Sequence, residues 1–241
     1  MLPTIGFAWT VRTVALIVLV TLAICNIVLR GPGASARRRA LVHRDSLTDW
    51  PYVALVLAYL TVFLGLYTPF FYVESFAVGT GITSEDTAFY LLAAVNLSSV
   101  FGRIIPNIHL ADMMGPMNMI MVTTAILAVT SLGFIGVKSA AGVFVVSVVY
   151  GFFTGTFFAL QPTIFVRLTG DMSVMGTRFG MAFSIMSFGL LIGSPISGVL
   201  QRAFGSYNAS WVWAAITLAG GSVLLGVSRT LKVGPKVSIK I

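Results

Sequence analysis

Seven long apolar runs dominate the chain, at residues 5–29, 51–79, 87–106, 117–137, 141–166, 178–203 and 209–229. Each holds roughly 20 or more mostly apolar residues, the length an α-helix needs to cross a bilayer. The runs are continuous, whereas membrane-barrel strands alternate polar and apolar over about 10 residues. The pattern therefore predicts an all-α membrane protein, a helical bundle of about seven transmembrane helices. Short connections join the last six runs, so neighbouring helices in that set are expected to be antiparallel.

Composition strengthens this picture. Of 241 residues, 57% are apolar and only 9% are charged, against about 25% charged in a soluble domain. Mean hydropathy is +0.97. The net charge of +8 suggests nucleic acid only until its distribution is considered. The bases sit in short loops between apolar runs, as membrane topology requires, so no nucleic-acid partner is expected. The loop 30–50 carries Arg30, Arg37, Arg38, Arg39 and Arg44, and the next loop carries Glu85 and Asp86. With 30–50 in the cytoplasm, Arg103, Arg167, Arg178, Arg229, Lys232, Lys236 and Lys240 also fall inside. Arg12, Lys138 and Arg202 fall outside. Twelve of the fifteen bases are then cytoplasmic, which predicts an outside N-terminus and an inside C-terminus. The first run is a poor secretory signal, since a signal peptide carries its positive charge ahead of the apolar core.

The expected organisation is a single transmembrane helix (1–29), a basic cytoplasmic linker (30–50), a six-helix unit (51–229) and a basic cytoplasmic tail (230–241). The six helices read as two related threes. The second and fifth spans share glycine, aromatics and proline in order, Gly65 to Phe71 and Gly155 to Pro162; the third and sixth carry Gly102 with Pro106 and Gly193 with Pro195. Such interruptions at matching positions mark an internal repeat in transporters.

Several residues are candidates for chemistry. Arg103 ends the third span; a charge there serves either an anion or a snorkelling helix end. Glu74 is the lone acid within a span, a gate or coupling residue or an interfacial one. Asn96 and Gln161 lie well inside their runs, where polar side chains bind solute or bond between helices. Tyr67, Phe70, Phe71 and Tyr72, with Tyr150, Phe152, Phe153, Phe157 and Phe158, form aromatic clusters that either line a pocket or pack. Asp112, in the turn after the third span, is a second gate candidate; it either caps the following helix or pairs with Arg103. Asn208-Ala-Ser210 is a weak glycosylation sequon. No metal site and no cofactor are expected: Cys25 is the only cysteine and His43 and His109 lie far apart. The chain lacks a hydrolase nucleophile motif and a phosphate loop, so it is not expected to be an enzyme.

Four stretches also resemble a family: Gly6-Phe-Ala-Trp-Thr-Val-Arg12, Tyr67-Thr-Pro-Phe-Phe-Tyr72, Asn96 to Asp112, and Gly176-Thr-Arg-Phe-Gly-Met-Ala-Phe-Ser184 with Gly193-Ser-Pro-Ile-Ser-Gly198. They are similar to the sixth, seventh, eighth and eleventh helices of major facilitator superfamily transporters, in the fungal, monocarboxylate-porter-like branch. The resemblance implies helices equivalent to the sixth to twelfth of that fold, and hence a truncated secondary transporter. It implies alternating access for a small organic anion, monocarboxylate or secondary metabolite, by symport or export and with or without protons. Arg103 matches the arginine that binds the substrate carboxylate in animal members; the acid four residues before it there is Ser99 here. Substrate-binding candidates are then Arg103, Asn96, Tyr67, Phe71 and Gln161, and gate or coupling candidates are Glu74 and Asp112. The expected setting is the lipid bilayer of the plasma membrane or an internal membrane, with a second transporter half or a second copy as partner. The alternative is an inactive remnant or a membrane scaffold that binds a partner.

Overall fold

A computed structural model describes residues 2–28, 41–109 and 111–234, with side chains for 6–28, 41–108 and 113–234. Arg30, Arg37, Arg38, Arg39, Lys236 and Lys240 lie outside the described residues. Seven helices are long and apolar enough to cross a membrane, and no strand occurs among the described residues. Contacts divide the chain into two compact units, residues 1–39 and 40–241.

The first unit is the helix α1 (Leu2–Val28), broken at Gly6. Its polar side chains fold back on their own backbone: Thr10 donates to the Gly6 carbonyl, Thr13 to Trp9 and Asn26 to Leu22. In lipid no water is present to serve these groups, so local bonds satisfy the hydroxyl and amide donors within the helix.

The second unit opens with a short 3-10 turn (Arg44–Leu47) and continues through α2 (Trp50–Leu66), α3 (Thr68–Gly79), α4 (Glu85–His109), α5 (Ala111–Met114), α6 (Pro116–Gly136), α7 (Ala140–Leu168), α8 (Met175–Phe204) and α9 (Asn208–Val233). The predicted second span is thus two helices, α2 and α3, which share one membrane-length segment and break at Tyr67, because Pro69 has no N–H to continue the ladder. Gly115, at φ 83°, separates α5 from α6, so Asp112 is a residue of α5 rather than the cap of the next helix. Gly205, at φ 59°, stops α8 in a left-handed turn.

Small residues set the helix spacing. On α7, Gly151 faces the backbone of Val95 and Gly155 that of Ser99; on α4, Gly102 faces the backbone of Phe152. A methyl group at any of the three would collide with main chain, so α4 and α7 touch backbone to backbone. On α8, Gly189 and Gly193 meet the backbones of Leu60 and Leu64 of α2 in the same way. Lipid supplies no hydrophobic drive between helices, and close approach of this kind is what holds such bundles together. Helix α2 packs on α8 and α9, α7 packs on α4 and α6, and α6 packs on α9. Exchanging the first three spans of the unit with the last three leaves this set of neighbours unchanged, as a twofold repeat requires.

Prolines leave carbonyls that neighbouring helices serve. Pro106 cannot donate to the Gly102 carbonyl, and Thr156 of α7 donates to it instead at 2.8 Å. At the α2–α3 break, Tyr150 of α7 donates to the Leu66 carbonyl at 2.7 Å and Trp213 of α9 to the Leu64 carbonyl at 3.2 Å. Both α7 donors are fully buried. We expect Tyr150→Phe and Thr156→Val each to cost about 1 kcal/mol of fold stability, because each strips a donor from a carbonyl that water cannot reach. Unfolding midpoints in detergent titrations measure this; unchanged midpoints in both variants would show that the carbonyls find other donors.

Candidate functional site

Arg103 is exposed on α4, at the border of the face packed on α7. The buried positions Leu91, Val95, Ser98, Ser99 and Gly102 form the packed face. Asn96, Arg103 and Asn107, spaced by seven and four residues, form a polar stripe in which Asn96 and Arg103 are exposed and Asn107 is half-buried. Asn96 and Asn107 are satisfied within the helix, donating to the carbonyls of Leu92 and Arg103 at 2.8 Å each. Ser99 donates to its own helix, to the Asn96 carbonyl. Among the described residues no carboxylate stands within ion-pair distance of Arg103. The side chain of Asp112 lies outside the described residues. Arg103 is in electrostatic reach of Tyr67.

Tyr67 sits half-buried at the break and is surrounded by rings. Centroids of Phe63, Phe70, Phe71 and Phe158 lie 6.2, 5.5, 6.1 and 6.2 Å from its own. Phe71 and Glu74 follow it by four and seven residues, on the same face of α3, and both are exposed. The remaining aromatics divide as the two sequence readings foresee. Tyr150 and Phe157 are fully buried packing residues; Tyr67 and Phe158 border a cavity of about 400 Å³ between α2, α7 and α8. Gln161 shares that cavity with Tyr67. The amide is 3% exposed and its Nε2 has no hydrogen-bond partner among the described residues. The structure thus brings Tyr67, Phe71, Arg103 and Gln161 to one region, with Asn96 on the stripe of Arg103.

Sequence reasoning missed the wall contributed by α8: Phe179, Phe183, Met186 and Ser187. The signal was present in Arg178-Phe-Gly-Met-Ala-Phe183, where two aromatics one turn apart follow a base. It also missed the pair formed by Asp49 and Arg178. Arg178, the first residue of the predicted run, lies in the first turn of α8, which begins at Met175. Its guanidinium binds the Asp49 carboxylate and lies 4.4 Å over the Tyr52 ring. The Tyr52 hydroxyl donates to the Arg178 carbonyl at 2.7 Å. Asp49 just precedes α2, so this cluster ties the starts of α2 and α8. Asn208 is exposed at the start of α9, but the Ser210 hydroxyl of its sequon is buried and donates to the Ser197 carbonyl at 2.8 Å. A larger groove of about 480 Å³ lies between α6 and α9. Its polar side chain, Ser222, already donates to the Met121 carbonyl, so the chemistry does not lie there.

These features define a polytopic helical membrane protein whose six-helix unit frames a polar and aromatic region with an arginine beside it. No family profile matches the chain. It is 35% identical to the MFS-type transporter dbaD of Emericella nidulans, over 91% of this chain and 50% of that protein. It is 34% identical to the aspyridones efflux protein apdF of the same organism, over 91% of this chain and 45% of that one. Identity to the agnestins efflux protein AgnL12 of Paecilomyces divaricatus is 30%, over 95% and 53%. The crystal structure of the Escherichia coli fucose:proton symporter FucP superposes with a TM-score of 0.66 at 18% identity, covering 89% of this chain and 53% of that one; it shows a shared fold. The chain is a homologue of fungal MFS-type transporters, with the helical fold of that superfamily, and spans about half the length of the curated relatives it matches.

Replacing Asp49 by Asn should lower fold stability by roughly 1–3 kcal/mol, because it leaves the buried Arg178 without its countercharge. Asp49→Asn combined with Arg178→Met should recover part of that loss, since an apolar isostere needs no partner. Thermal unfolding in detergent decides; a double variant less stable than the single would contradict the pairing.

Proposed function

We propose that this chain is one half of a secondary active transporter that moves an organic anion by alternating access. The observation that carries the reading is Arg103: a membrane-segment cation, exposed on α4, in electrostatic reach of Tyr67 and without a carboxylate partner among the described residues. A charge in a spanning helix is costly and typically faces a cavity or a partner. An arriving carboxylate supplies that partner through the two-pronged geometry guanidinium favours. Tyr67, Phe71, Asn96 and Gln161 line the path, and Glu74 and Asp112 serve as gate or coupling residues. Names of relatives give the direction and the solute class their support: two are efflux proteins, for aspyridones and for agnestins. Export of a secondary metabolite is therefore the reading we favour. The missing length of the relatives corresponds to a second half, supplied by further sequence, another chain or a second copy, and completes the cavity.

The test is flux of labelled organic acids from proteoliposomes. Wild-type protein should release them faster than empty vesicles. Arg103→Ala should reduce the rate at least tenfold, about the loss of one charge-assisted pair, with helicity intact by circular dichroism. Release no faster than from empty vesicles for every acid tried would sink the transport reading in favour of a remnant or scaffold.

The proposed orientation places the N-terminus outside, in the plasma membrane or an internal one, on the grounds of loop charge. In a Cys25→Ala background, a cysteine replacing Thr83 should react with an impermeant maleimide in right-side-out vesicles. One replacing Ser173 should react only after permeabilisation. The reverse pattern inverts the topology.

A further inference from the structure

The cavity walls narrow the solute further, on the footing of the transport reading above. Phe179 and Phe183 stand one turn apart on α8 and stack at 4.8 Å with their planes 19° apart. Phe179 thus backs one face of Phe183 and is itself packed by Phe165 at 4.6 Å, while Phe183 remains 42% exposed at the end of the stack. Phe158 forms a second wall, with its ring 6.1 Å from Phe63 and 6.2 Å from Tyr67. Rings whose faces are left uncovered in a confined space favour another π-system, which stacks or meets them edge-on; a saturated skeleton of equal size cannot match that geometry. Met186, also in the wall, adds a polarizable thioether that suits aromatic ring edges.

The second observation is Gln161. It is 97% withdrawn from solvent by its 3% exposure, and its Nε2 donor has no partner among the described residues. Buried amide donors are almost always bonded. One that borders a ligand-sized space is explained when the ligand brings an acceptor. The cavity, at about 400 Å³, is in the range of sites for drug-sized molecules. A short aliphatic acid would reach neither the rings nor the amide.

We propose that this cavity takes a flat, conjugated organic acid. Its ring system lies against Phe183 and Phe158, an oxygen carried on the ring accepts from Gln161, and its carboxylate turns past Tyr67 toward Arg103. Saturated or short-chain acids are discriminated against, whatever the membrane orientation.

The experiment is equilibrium binding of labelled 2-naphthoate to the full chain in lipid nanodiscs, with its fully hydrogenated counterpart as competitor. The hydrogenated acid should bind roughly tenfold more weakly, the effect expected of two ring contacts, and Phe183→Leu should shrink the preference to about twofold. A methoxy substituent on the naphthoate should improve affinity in the wild type but not in Gln161→Leu. Equal affinity of the aromatic and hydrogenated acids for the wild type overturns the proposal and needs no variant to fold. So does the absence of naphthoate binding while short-chain acids still move through proteoliposomes. In both cases flux through Arg103 separately keeps or removes the underlying transport reading.

Discussion

A proline in a spanning helix leaves a carbonyl without its donor, and in hydrocarbon there is no water to take the donor's place. This chain carries prolines in α4, α7 and α8 and at the α2–α3 break. In α4 and at the α2–α3 break, helix α7 supplies a donor to a backbone carbonyl beside the interruption. Thr156 reaches the Gly102 carbonyl and Tyr150 the Leu66 carbonyl. The first of these bonds depends on glycines that let the backbones approach. Gly151 and Gly155 bring α7 against α4, and a side chain at either would hold the Thr156 hydroxyl out of reach. Packing and hydrogen bonding are therefore one requirement here rather than two.

The same bonds locate the residues of the candidate site. Tyr67 directly follows Leu66, and Arg103 directly follows Gly102. Each is thus the next residue after a carbonyl pinned by α7, at a point where its own helix is weakened by proline. A break in the ladder frees a helix to turn a side chain off its regular face, and the donor from α7 fixes where that turn occurs. Helix α8 is tied to α2 and α3 by equivalent means, with Gly189 and Gly193 against Leu60 and Leu64 of α2 and a hydroxyl pair at 2.8 Å between Thr68 of α3 and Ser197. That contact sets Phe179 and Phe183 opposite Tyr67 across the cavity.

Much of this was legible in the sequence, and the rest was not for identifiable reasons. The spans were legible because bilayer thickness imposes a length that apolar runs must meet. The Gly–Pro interruptions were legible too, since proline breaks the ladder wherever it falls. Their consequence was not: which neighbour serves a freed carbonyl depends on contacts between residues such as Gly102 and Thr156, far apart in the chain. Arg178 stands at the very start of its apolar run, which along the chain marks only the edge of a span. The helix starts three residues earlier, and a guanidinium can lie within the first turn once Asp49 and the Tyr52 ring receive it. The α8 wall was missed because Phe179 and Phe183 look like ordinary packing residues along the chain; only the fold shows that they border a cavity.

The two arginines treated differently by the fold carry the functional argument. Burying or half-burying a guanidinium in a spanning segment is costly wherever it occurs. For Arg178 the chain supplies a countercharge, the Asp49 carboxylate, and the face of the Tyr52 ring, and the result is 7% exposed. For Arg103 it supplies a polar stripe, a neighbouring phenol and, among the described residues, no carboxylate. Had the need been only for a cation at the helix end, an acid at the position of Ser99, one turn back on α4, would have relieved its cost locally. Instead that position is a serine bonded to its own helix. The proposed role of Arg103 rests on this contrast: a charge whose partner is built in holds the bundle together, and a charge whose partner is left out is ready for one that arrives.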